Sequence, residues 1–260
     1  MIRGDFHTHT SFCDGKNTAE EMLQRAIDMG LTHYGFSGHA LTSYDLSCCM
    51  TLEGMSQYNA TVRDLQEKYA DRITVFRGIE QDFYADIPAV GYDYVIGSVH
   101  CLKHGDRFDV VDESKEKIIS IVNDVYNGDW YAMAESYFAM VARVPELGAD
   151  IVGHIDLITK FNDGNALFDE THPRYLEAAY KAVDTLIPYR IPFEINTGAI
   201  YRGYQTRPYP SVPILEYIKQ KGGKVILSGD AHHVDGICYK FHECRKLVED
   251  IGLAIVDLPK

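Results

Sequence analysis

A short apolar run, a metal-ligand residue type near its end, then a helical pattern: this unit recurs along the chain and leaves few folds open to it. The apolar, β-branched runs fall at residues 2–6, 33–37, 73–80, 92–98, 151–154, 193–196 and 224–228, with a shorter one at 254–256 that would add an edge or a cap. Helical patterns lie between them at 19–29, 52–69, 114–126, 130–147, 172–186, 212–221 and 236–251. Thr18 is placed to cap the first helix, with Glu20 and Glu21 in its opening turn and Gly30 just past its end. Strands that alternate with helices pair in parallel and are covered by those helices. About seven such units predict an α/β fold of the closed or nearly closed barrel type. The other candidate, an open doubly wound sheet, gathers its functional residues at one switch point. Here they follow nearly every strand. No low-complexity stretch, charge block or Pro/Gly/Ser linker divides the sequence, so residues 1–260 are expected to form a single domain.

The net charge of −13 argues against a nucleic-acid partner, because phosphate backbones are held by clustered Lys and Arg. The cysteines Cys13, Cys48, Cys49, Cys101, Cys238 and Cys244 contain no C-x-x-C pair, so no structural zinc knuckle is expected. They read as free thiols in a reducing compartment. The N-terminus lacks an apolar signal region, and no run reaches the ~20 apolar residues of a membrane helix. A cytoplasmic protein with no membrane partner is the expectation. Oligomeric state is not legible, because helix faces that cover a barrel resemble those that pair subunits.

The candidate ligands start with His7-Thr8-His9, directly after the first run. In an extended chain, residues i and i+2 share a face, so this pair presents two imidazoles to one ion. Asp230-Ala231-His232 repeats the geometry after the last long run. A closed barrel brings first and last strands side by side, which would make the two pairs neighbours. Glu80, His100 and His154 each close an apolar run, and His39 follows Ser37-Gly38. Taken singly, each of these histidines is better read as structural; their common placement is what points to a polynuclear metal site. Of the eleven histidines, His33, His104, His172, His233 and His242 fall outside the pattern and are expected at the surface or in packing.

The set His7-Thr8-His9-Thr10 with Asp14-Gly15, Ser37-Gly38-His39, Gly78-Ile79-Glu80, Gly97-Ser98-Val99-His100, Gly153-His154 and Gly229-Asp230-Ala231-His232 resembles the polymerase and histidinol phosphatase (PHP) metallohydrolases. The motifs span almost the whole chain in the family's order. The resemblance implies a distorted (β/α)7 TIM-like barrel with parallel strands and outer helices. It also implies three divalent metal ions, whether Zn, Mn or Fe. By that resemblance His7, His9, Glu80 and Asp230 bind the first ion, Glu80, His100 and His154 the second, and Asp14, His39 and His232 the third. At the Asp14 position some family members carry histidine. Three divalent ions would leave the site net positive despite the acidic protein, and so attract a phosphate dianion. The expected chemistry is hydrolysis by metal-activated water, with Glu80 bridging and Asp230 or His232 relaying protons.

Within the family, the chain length and two segments, residues 153–161 and 193–211, resemble the enzymes that hydrolyse L-histidinol phosphate in histidine biosynthesis. Both segments would lie in loops at the catalytic rim. Arg202 and Lys160 are the candidates for contacting phosphate oxygens, with Arg207 a third. Lys160 stands where relatives often have arginine, which keeps the charge but loses the bidentate fork. Tyr201, Tyr204 and Tyr209 offer aromatic faces to an imidazole. Residues 40–50 could form a lid, with Asp45 meeting a substrate ammonium. The small-molecule phosphate ester could instead be another phosphomonoester, phosphotyrosine or a nucleotide. A barrel that binds metals without turnover is the remaining alternative.

Overall fold

The computed structural model describes residues 2–258. Its strands are β1 (His33–Phe36), β2 (Thr74–Asp82), β3 (Tyr94–Ser98), β4 (Cys101–His104), β5 (Arg107–Val110), β6 (Ile151–Val152), β7 (Phe193–Asn196), β8 (Lys224–Ser228) and β9 (Ala254–Ile255). Its α-helices are α1 (Ala19–Asp28), α2 (Leu52–Lys68), α3 (Lys115–Tyr126), α4 (Trp130–Val141), α5 (Pro173–Leu186), α6 (Gly198–Tyr201), α7 (Val212–Gln220) and α8 (Phe241–Ile251). Seven strands form one parallel sheet in the order β1-β2-β3-β6-β7-β8-β9. That order never reverses, so there is no switch point, and the doubly wound alternative falls.

The N-terminal segment closes the curl. Arg3 O accepts from His33 N at 3.0 Å and Asp5 O from Gly35 N at 2.9 Å, which ties the segment to β1. His9 N donates to Ala231 O at 2.9 Å and Ala231 N to His7 O at 3.0 Å, which ties it to the loop after β8. Residues 2–6 are nevertheless not a regular strand, contrary to expectation. The Asp5 carboxylate accepts from Gly229 N and Cys238 N, both at 2.9 Å, and the Tyr94 hydroxyl donates to Phe6 O at 2.5 Å. Side-chain hydrogen bonds thus replace part of the ladder.

Strand alternation sorts the rest. Ile79, Val95, Val152, Ile195, Val225 and Leu227 pack outward under the helices. Tyr94, Ile96, Ile151 and Ile226 pack with Phe6 on the inner face. By the same period Glu80 and Asp82 on β2, Ser98 on β3, and Glu194 and Asn196 on β7 face inward. Gly153 permits the close approach of β6 to β3, since a Cβ there would lie 2.4 Å from Ser98 Oγ.

Helix α1 begins as expected, with a reciprocal capping box between Thr18 and Glu21. Other boundaries differ. The 130–147 helix stops at Val141, and Pro145 sits in a separate 3-10 turn, Val144–Leu147. Helix α8 begins at Phe241 rather than 236, because Cys238 and Lys240 adopt left-handed backbone, each with φ 53°. The antiparallel hairpin β4–β5 and the short α6 were not anticipated. No helix among the described residues is long and apolar enough to cross a membrane.

Candidate metal centre

Glu80 is the hub. It lies inside β2, which runs on to Asp82, rather than at the strand end where the sequence placed it. Its Oε2 is 3.1 Å from His7 Nε2, 3.4 Å from His9 Nε2 and 3.0 Å from His39 Nδ1. Its Oε1 is 3.3 Å from His100 Nε2 and 3.0 Å from His154 Nε2, and accepts a 2.7 Å hydrogen bond from Ser98 Oγ. One buried carboxylate therefore touches five imidazoles from four segments of the chain.

The H-x-H and D-x-H pairs meet as the closed-barrel reasoning required. Asp230 Oδ1 lies 3.4 Å from His9 Nε2 and 3.9 Å from His7 Nε2. The His9 and His232 rings stack with centroids 4.0 Å apart. Asp230 has φ 46°, a left-handed conformation that aspartate tolerates better than most side chains. Asp14 Oδ2 is 3.1 Å from His232 Nε2, and Asp14 Oδ1 is 3.8 Å from His39 Nε2 and 3.7 Å from His9 Nδ1.

Four overlapping groups bring ligand atoms within 4.8 Å of one another: His9, Asp14, His39 and His232; His7, His9 and Asp230; His7, Glu80 and His154; His39, Glu80 and His100. Every metal-ligand residue expected from the sequence is in one of them. The pairing of His9 with the Asp14 group, and of His39 with Glu80, was not anticipated. The donor set suits divalent cations. His7 Nε2, His9 Nε2 and Glu80 Oε2 are buried and make no hydrogen bond. Such orphans cost about 1–3 kcal/mol each, a penalty that a coordinated cation removes. Burial, helped by His232 and His39, pushes the His9 pKa down to about 3, which keeps it the neutral imidazole that metals bind. Burial alone would raise the Glu80 pKa, but His7, His39 and His100 hold it well below the usual carboxylate range.

The centre opens into a cavity of about 260 Å³. Arg202 and Lys160 line it. Arg202 Nη2 donates to Asp230 Oδ2 at 2.9 Å. Lys160 Nζ pairs with Asp112 Oδ2 at 3.1 Å and donates to Asp112 O at 2.7 Å. Arg207 does not line the cavity. Its guanidinium is taken by Asp156 at 3.5 Å, by Glu170 and by Thr159 Oγ1, all structural partners around the 205–211 loop. Tyr209 is fully buried and Tyr201 packs on Tyr239, so neither offers its face to the cavity as proposed from sequence. From residues 40–50, Thr42, Tyr44, Asp45, Ser47 and Cys48 form one cavity wall. The Tyr44 ring stacks on Phe108 of the β4–β5 hairpin at 5.2 Å.

Two carboxylates were missed. Glu194 Oε1 is 2.6 Å from His7 Nδ1, and Asp82 Oδ2 is 3.3 Å from His100 Nδ1. The available signal was period two: Asp82 follows Glu80 by two residues, and Glu194 precedes Asn196 by two. His104, expected outside the ligand pattern, bonds Asp109 and Tyr126 instead of the centre.

Residues 5–198 match the family model described as the PHP domain. The chain is 28% identical over 262 residues to a Deinococcus radiodurans protein named "Probable histidinol-phosphatase", covering 95% of this chain and 93% of that one. It is 23% identical to a Schizosaccharomyces pombe protein of the same name, covering 95% and 86%. Among solved structures, the putative histidinol phosphatase of Listeria monocytogenes superposes with a TM-score of 0.81 at 20% identity, over 92% of this chain and 99% of that one. The histidinol phosphate phosphatase of Lactococcus lactis, solved with zinc, L-histidinol and phosphate, gives 0.69 at 18% identity, over 98% and 95%. These two likenesses establish a shared distorted barrel.

Proposed function

We propose that this chain, which belongs to the PHP domain family, is a metal-dependent phosphatase that hydrolyses L-histidinol phosphate to L-histidinol and phosphate. The observation that carries the reading is the convergence of His7, His9, His39, His100 and His154 on one buried carboxylate, Glu80, at the base of a cavity that also holds Arg202 and Lys160. The choice of ester rests on the names of the relatives and on the bound molecules of the Lactococcus structure.

His7, His9, Glu80 and Asp230 would hold one divalent ion, Glu80, His100 and His154 a second, and Asp14, His39 and His232 a third. When bound, such ions supply Lewis-acid charge to the phosphoryl oxygens and lower the pKa of water toward ~7. The chain's own groups do the rest. Arg202 offers guanidinium N–H donors to non-bridging phosphate oxygens while Asp230 holds it in place. Lys160 adds a positive charge at the same wall, steadied by Asp112. Asp230 or His232, whose Nδ1 lies 3.4 Å from Asp230 Oδ1, would relay a proton to the departing alkoxide oxygen of histidinol. Asp45, on the wall formed by residues 40–50, would pair with the substrate's ammonium.

The test is phosphate release by the zinc- or manganese-loaded protein. Turnover of L-histidinol phosphate supports the reading; negligible turnover beside active hydrolysis of other phosphomonoesters would replace the substrate.

A further inference from the structure

Glu194 is a fully buried glutamate in the middle of the four-residue strand β7, between Phe193 and Ile195. A carboxylate in that position is costly unless every oxygen is used. Both are. Oε1 sits 2.6 Å from His7 Nδ1. Oε2 accepts from the backbone N–H of His154 at 2.9 Å and from Asn196 Nδ2 at 3.3 Å. Its partners are thus the ring of one candidate ligand and the main chain of another, and these two ligands contact different oxygens of Glu80. Asp82 makes a narrower version of this contact, taking His100 Nδ1 at 3.3 Å and His100 N at 2.9 Å. Only one ligand depends on Asp82, whereas Glu194 reaches two from different segments.

Resting on the metal-centre reading above, we infer that Glu194 is a positioning residue that fixes His7 as an Nε2 ligand and sets His7 and His154 at a common spacing about Glu80. The geometry gives the reason. With the Glu194 carboxylate accepting from His7 Nδ1–H, the neutral ring that binds a metal carries its lone pair on Nε2, the atom that faces Glu80 Oε2 at 3.1 Å and makes no hydrogen bond of its own. A negative acceptor on Nδ1 raises the donor strength of Nε2 and prevents the ring from flipping. The bond to His154 N then carries the same carboxylate to the loop that places His154 Nε2 3.0 Å from Glu80 Oε1. The β7 strand, which contributes no ligand, thereby sets the separation of two that lie on other segments.

Glu194→Gln tests this. The amide keeps one acceptor but must turn its NH2 towards either His7 Nδ1 or the donors His154 N and Asn196 Nδ2, so one contact is lost in either orientation. Zinc affinity is measured by chelator competition on the wild type and the variant, with urea unfolding of both metal-stripped proteins as the control for a merely structural role. The expected result is about 10–100-fold weaker zinc binding with the metal-stripped unfolding midpoint little changed. Wild-type affinity in Glu194→Gln would overturn the inference while leaving the metal centre standing. A wild type that binds no divalent ion would overturn both. Should the variant not fold, a crystal structure of the zinc-loaded wild type decides: His7 Nε2 on the ion with Nδ1 on Glu194 supports the inference, and Nδ1 on the ion refutes it.

Discussion

His7 Nε2 and Glu80 Oε2 lie 3.1 Å apart in the interior of the barrel, and neither atom makes a hydrogen bond. One comes from the N-terminal segment and the other from β2, and β1, hydrogen-bonded to both, brings them together. A cation between such groups turns two costs into one attraction.

Glu80→Ala removes the shared carboxylate. Phosphatase activity is expected to fall by about 10³-fold or more, several kcal/mol of lost charge stabilisation, and bound metal to fall with it. Kinetics together with metal analysis checks both. Wild-type turnover in this variant would overturn the assignment of the centre.

Chelation should remove activity reversibly. Zinc, manganese or iron bound only by the folded state raises the melting temperature, so the stripped protein should melt lower and recover with added ion. Titrating each metal into stripped protein, with activity and melting followed together, also shows which one supports the most turnover.

Arg202 and Lys160 should not be equal. Lys160 is already neutralised by Asp112 at 3.1 Å, whereas Arg202 leans on Asp230, whose charge is shared with His7 and His9. Arg202→Ala is expected to lower kcat/KM by about 10²-fold, the worth of a charge-assisted hydrogen bond set. Lys160→Ala should cost less. Steady-state kinetics on both variants decides, and the reverse ranking would contradict the geometry.

Arg207 should matter for stability and not for substrate. Burial pushes the carboxyls of Asp156 and Glu170 up, and Arg207 opposes that shift. An acid with a raised folded pKa binds protons more tightly in the folded than in the unfolded state, so its stabilising contribution is lost as pH rises from about 4. Arg207→Met raises both carboxyls further. It should cost about 3 kcal/mol near pH 7, and less near pH 4 where they protonate. Urea unfolding at both pH values checks the sign, and an unchanged KM separates this role from phosphate binding.

Much of the centre was legible because period two survives in loops: His7 with His9, and Asp230 with His232, share a face whether or not a regular strand carries them. Glu194 and Asp82 were not, because a carboxylate beside apolar neighbours looks like an exposed strand end until the partner imidazole is seen. Arg207 and Tyr209 were misplaced for a related reason. Their loop is buried against Asp156 and Glu170, and loop charge says nothing about which wall it meets. The β4–β5 hairpin was missed although Gly105-Asp106 lies at its turn, with Gly105 at φ 62°. Its strands are four residues each, too short for periodicity to stand out.

The most direct test of the central claim is the ratio of kcat/KM for L-histidinol phosphate to that for phosphomonoesters lacking the imidazole and ammonium, measured on metal-loaded protein. A ratio well above one, on the order of 10-fold or more, is expected from pairing of the ammonium with the part-buried Asp45. Equal rates across the panel, or a higher rate for another ester, would contradict it.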